Sequence, residues 1–90
     1  MEKKVFVLCA RRWFDKPNGN SYYSLAVVHP DGDKETLTGF TYGHGYATYI
    51  HHATEFLKGL YTSLNFDTDV KFVVDETEVM RKKDLHKVAR

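Results

Sequence analysis

The chain has 90 residues, with 13 Lys and Arg against 12 Asp and Glu and a formal net charge of +1, so no overall cationic field draws it onto nucleic acid. A hydrophobic fraction of 42% suits one small domain, residues 1–90, that buries too little of itself to hold a large internal cleft. No apolar run is long enough to span a bilayer, the opening MEKKVFVLCARRW is too short in its apolar part for a signal peptide, and the single Cys9 in VFVLCA reads as a buried thiol of a reducing compartment, so a cytoplasmic protein with no membrane partner is expected.

The first element is a strand from Lys3 to Phe14. Val5, Val7, Cys9 and Trp13 alternate with Phe6, Leu8, Ala10 and Phe14, so both faces are apolar and both need a cover. Lys16-Pro17-Asn18-Gly19-Asn20 is a hairpin turn, because Pro presets one dihedral and Asn-Gly accepts positive φ. A second strand, Ser21 to His29, ends at the turn His29-Pro30-Asp31-Gly32-Asp33. A third strand spans about Glu35 to Tyr42, with Gly39 at a bulge or a close-packing point. After Gly43-His44-Gly45 the period changes. Tyr46, Tyr49, Ile50, Ala53, Phe56, Leu57, Leu60, Tyr61 and Leu64 recur at helical spacing. Val70 to Val74 is a fourth strand, and residues 76–90 form a basic tail, either a short helix or a continued edge strand.

The order β-β-β-α-β predicts a small α+β domain: an antiparallel sheet with one main helix packed on one face. One helix covers one face only. The tail is one candidate cover for the second face, and a second copy of the chain is the favoured one, so a homo-oligomer, dimer or higher, is expected.

Two segments carry candidate chemistry. Thr41 to Tyr46 (TYGHGY) places Gly43 and Gly45 at a helix start, where outward N–H groups and the helix dipole suit a phosphate or carboxylate. A strand-to-helix turn needing positive φ is the commoner role of such glycines. In RRWF, Arg11 and Arg12 point to opposite faces and offer guanidinium forks suited to phosphate, while Trp13, Tyr22 and Tyr23 offer stacking surfaces for a base. Ion pairing beside Asp15 explains the arginines equally well, and Phe14 reads as core. Five histidines lack a metal-ligand spacing, so no metal or cofactor is expected. No Ser, Cys or carboxylate constellation supports catalysis, although His44 with His51 would make an acid/base pair if a nucleophile stood beside them. A binding protein rather than an enzyme is expected.

Arg12-Trp13-Phe14-Asp15-Lys16, Gly19-Asn20-Ser21-Tyr22, Tyr42-Gly43-His44-Gly45 with Tyr49, and Arg81-Lys82-Lys83-Asp84-Leu85 together resemble a group of short bacteriophage-type proteins of unassigned function. Their motifs read R-W-F-[DQ]-[KR]-x-x-G-N-[ST]-Y and Y-G-x-G-x-x-Y. The resemblance implies a viral accessory, counter-defence setting in a host cytoplasm. The leading expectation is a homo-oligomer that sequesters a phosphate-bearing, nucleotide-like small molecule through Arg11, Arg12, Trp13, Asn20, Tyr22, Tyr42, Gly43, His44, Gly45 and Tyr46. The alternatives are a nucleic-acid-binding module, which the neutral net charge disfavours, and a protein-binding inhibitor of a host defence factor.

Overall fold

The computed structural model describes residues 3–88, in the order β1 (Lys4–Asp15), β2 (Asn20–Val28), β3 (Lys34–Tyr42), α1 (Tyr46–Leu57), β4 (Val70–Val79) and a terminal 3-10 helix (Lys82–Lys87). The strands form one sheet in the order β3-β2-β1-β4. β1 and β2, and β2 and β3, run antiparallel, but β4 runs parallel to β1. The sheet is therefore mixed, which corrects the expected antiparallel one. Alternation in a sequence reports which face a side chain takes and is silent on strand direction. Twelve residues of α1 span roughly 18 Å, enough to carry the chain from the end of β3 back along the sheet. β4 then starts beside Lys4, whose N–H donates to the Asp69 carbonyl at 2.8 Å. Parallel neighbours need such a crossover, and α1 provides it.

The helix covers one face. Phe6, Leu8 and Ala10 of β1, Tyr23, Leu25 and Val27 of β2, Val70 of β4, and Tyr49, Ala53 and Leu57 of α1 form one buried cluster. Each fully buried Leu or Phe there contributes about 1.5–3 kcal/mol. The helix opens at Gly45, whose φ of 100° lies in the region glycine favours. It closes at Lys58, whose N–H bonds the Thr54 carbonyl at 3.0 Å, just before Gly59. The helical spacing of the sequence runs on to Leu64, but the helix does not. Tyr61 leaves the helical path to pack edge-on against Phe6, with centroids 5.3 Å apart, and its hydroxyl hydrogen-bonds His29 Nδ1 at 2.7 Å. Those contacts close the end of the core that a continued helix would leave open.

β4 extends five residues beyond Val74, the end expected from its apolar run. Its two glutamates are held on the helix side: Tyr49 donates its hydroxyl to Glu76 Oε2 at 2.6 Å, and Arg12 pairs with Glu78 at 3.3 Å. The rest of the tail folds back over the opposite face, hereafter the tail face. Arg11 Nη1 donates to the Asp84 carbonyl at 2.9 Å, Leu85 is fully buried, and Val88 nearly so. Gly39 is what allows the approach, because a Cβ there would stand 3.2 Å from His86 Nδ1. The β2–β3 register also shifts around Leu25, opposite this stretch, so Gly39 serves a bulge and a close contact together. The tail is thus both a strand extension and a short helix, and residues 89–90 lie outside the described residues. Cys9 is half-buried, more accessible than expected.

Candidate ligand-binding surface

The hairpin turn sets the register of the opening motif. Gly19, at φ 69°, donates its N–H to the Asp15 carbonyl at 2.7 Å, and Asn18 Nδ2 donates to Asp15 Oδ2 at 2.7 Å. Asn20 then pairs with Asp15, Trp13 with Tyr22 and Arg11 with Ser24. Across the next pair of strands, Tyr22 stands opposite Tyr42.

On the tail face these positions build an aromatic ladder across three strands. Trp13 stacks on Tyr22 with centroids 5.9 Å apart and planes 27° from parallel. Tyr22 stacks on Phe40 at 4.5 Å and 16°, and Tyr42 meets Tyr22 edge-on at 5.7 Å. Phe40 was not among the expected ligand residues. Two residues from Tyr42 on the same strand and face, it reaches the Tyr22 ring as a diagonal neighbour. Tyr42 is 67% exposed and Met80 80% exposed, so the β3 end of the ladder and its rim face solvent, while Trp13 and Tyr22 are half-buried. Lys82 Nζ sits 4.8 Å from the centre of the Phe40 ring, a contact worth about 0.5–1 kcal/mol when exposed. Of the neighbouring tail cations, Arg81 and Lys87 are both paired with Asp84, at 3.3 and 3.5 Å. Burial works against ionisation of Asp84, yet the two cations hold its carboxyl below the usual range.

The second group of expected residues lies on the opposite face. Gly43 donates its N–H to the Ser21 carbonyl at 2.9 Å, and its Cα lies close enough that a Cβ would touch the Tyr23 ring at 3.5 Å. With Gly45 it forms the helix start, where His44 and Tyr46 are exposed. An open hollow of about 500 Å³ lies there, lined by Phe14, Ser21, Tyr42, Gly43, His44 and Thr48. Arg12 belongs to this helix side, tied to Glu78, with its Nε buried and without a partner among the described residues. The ten expected residues are therefore divided. Arg11, Trp13, Asn20 and Tyr22 share the tail face, Arg12 and Gly43 to Tyr46 the helix face, and Tyr42, at the β3 edge, borders both.

Two further polar contacts were not legible in the sequence. Tyr23 Oη and His52 Nδ1 stand 2.6 Å apart; burial raises the Tyr23 phenol and, together with neighbouring His51, lowers the His52 imidazole. His29 links Tyr61 to Glu35, with Nε2 3.0 Å from Oε1. Burial first, then Asp31, Glu35 and Asp33, raises the Tyr61 phenol. This chain of hydrogen bonds ties the end of β2 to the turn after α1.

Among the described residues no group of three or more His, Cys, Asp or Glu side chains stands together as a metal site, and no helix is long and apolar enough to cross a membrane. Comparison with protein-family models, with curated proteins and with solved structures finds no match to this chain.

Proposed function

We propose that the protein is a binding protein for ligands that join a planar base to a phosphate, and that the aromatic ladder of Trp13, Tyr22, Phe40 and Tyr42 is where the base stacks. The ladder carries this reading. Phe40 and Tyr42 left exposed on β3, with Trp13 and Tyr22 only half-buried beside them, give up burial that the fold would otherwise gain, and stacking on such rings contributes about 1–3 kcal/mol per base. Lys82, over the Phe40 ring, stands at its rim to meet phosphate, and the remaining donors of Arg11, bonded to the Asp84 carbonyl, lie beneath the same segment. The phage setting implied by the sequence motifs makes sequestration of a nucleotide messenger the corresponding counter-defence role, without catalysis. The hollow at Gly43 to Gly45 is a second contact for phosphate on a ligand that reaches round the β3 edge past Tyr42.

Trp13 is the only tryptophan of the chain, so a base stacked on the ladder quenches its fluorescence directly. The test is titration of the protein with linear nucleotides, cyclic dinucleotides and short single-stranded oligonucleotides, read by Trp13 emission and by native mass spectrometry. Saturable quenching with a fixed bound mass supports the reading, and the arm that saturates at the lowest concentration separates a free nucleotide from a nucleic-acid strand. Unchanged emission with no bound mass in every arm overturns it and favours a protein partner.

A further inference from the structure

The sheet has two edges, and they differ. β3 is interrupted by the bulge around Leu25 and by Gly39. β4 is ten residues long and pairs with β1 from Val70 to Val79 without a break in register. It contains no proline, so its free edge offers an uninterrupted row of backbone donors and acceptors, the feature that natural sheets otherwise blunt or pair. On the tail face this edge carries Lys71, Val73 and Asp75 in alternate positions, all exposed, with Val73 at 43%. Lys71 and Asp75 have no ion-pair partner among the described residues. Val5, beside Lys71 on the same face, is equally exposed.

We infer that β4 pairs antiparallel with β4 of a second copy of this chain about a two-fold axis through Val73, joining two four-stranded sheets into one of eight. A two-fold axis perpendicular to the sheet keeps each face on its own side, so only residues of the same face meet. With the axis at Val73, each Lys71 stands opposite the partner's Asp75 and the two Val73 side chains meet on the axis. Cross-strand pairs of opposite charge and of β-branched residues are both stabilising. Moving the axis one residue either way sets Lys71 against Val73, or Val73 against Asp75, and loses both charge pairs. The same pairing joins the two Val5 and Val73 patches on the tail face, beyond the reach of the 3-10 helix. The inference stands independently of the ligand proposed above.

The test uses charge reversal on the full chain, with far-UV circular dichroism confirming the fold of every variant. The wild-type protein is expected to be a dimer by light scattering after size exclusion. Lys71→Glu sets Glu against the partner's Asp75, and Asp75→Lys sets Lys against the partner's Lys71, so each variant alone is expected to be monomeric. Mixed in equal amounts, the two variants restore both opposite-charge pairs and are expected to form a dimer of one copy each, resolved by mass. The double variant Lys71→Asp with Asp75→Lys is expected to dimerise with itself. A monomeric wild type, single variants that stay dimeric, or a mixture that stays monomeric overturns the pairing.

Discussion

The helix face and the tail face belong to the same four strands, yet they are closed in different ways. On the helix side, α1 sets Tyr49, Ala53 and Leu57 one turn apart along a single stripe, and every large apolar side chain of β1 and β2 beneath it has lost its solvent. On the tail side the cover is six residues of 3-10 helix with one fully buried side chain, Leu85. Ser24 and Ala26 are fully buried on this side, while Phe40 and Tyr42 of the ladder above and Val5 and Val73 below stay exposed. The difference is one of closure: the long amphipathic helix uses its face for the core, while the short cover leaves two patches of unlike chemistry less fully covered. Each side holds one buried polar atom with no partner among the described residues, Arg12 Nε on the helix side and Ser24 Oγ on the tail side.

Breaking the helix face is expected to cost most. Phe6→Ala removes a fully buried ring that touches Tyr61 and Phe72, for about 3–5 kcal/mol, a large share of the stability of a domain this size and measurable as a lower urea midpoint. Leu85→Ala tests the tail face by the same measurement. It is expected to cost about 2 kcal/mol, at the low end for a buried Leu, because a short 3-10 helix relaxes into the space more easily than a long α-helix does. If Leu85→Ala equals Phe6→Ala, the two faces are not different in kind.

Tyr42→Ala separates recognition from stability. Its ring is two-thirds exposed, so the urea midpoint is expected to stay within about 0.5 kcal/mol of wild type. Base binding read by Trp13 emission is expected to weaken by about 1–3 kcal/mol, roughly 5- to 140-fold in Kd. Affinity unchanged in this variant would remove Tyr42 from the proposed surface.

The acid limb of stability probes the helix face more gently. Burial holds the His52 imidazole below its ordinary value of 6.5, so near that pH the unfolded chain binds a proton that the folded chain refuses. The contribution is complete above about pH 6.5 and declines as the pH falls through that value towards the folded one. Thermal melts from pH 7.5 down to 5 should show this decline, and His52→Gln should flatten it. The smallest effect is expected from Glu78→Gln, which removes a partly exposed ion pair with Arg12. Pairs of this kind contribute about 0–1 kcal/mol, so the melting temperature should hardly move.

Much of the ladder was readable before the structure. The Asn18-Gly19 turn fixes the hairpin register, and from that register Trp13 must face Tyr22. Gly39 was legible as an irregularity because the apolar pattern slips there. The stack of Phe40 on Tyr22 was not, since it is a diagonal contact between strands whose pairing register the sequence does not state. The division of the ten candidate residues between two faces was foreseeable for Arg11 and Arg12, which are adjacent on a strand, but not for Gly43 to Tyr46, whose face depends on where the helix lands.

The sequence by itself determined the strands, the helix start and the need for a cover on both faces, because each follows from local periodicity and turn chemistry within a few residues. The parallel placement of β4, the early exit of Tyr61 from the helical path and the return of the tail over Arg11 and Gly39 were decided by tertiary structure alone. Each depends on contacts between segments far apart in the chain, Phe6 with Tyr61 and Arg11 with Asp84 among them, whose energies no local pattern carries.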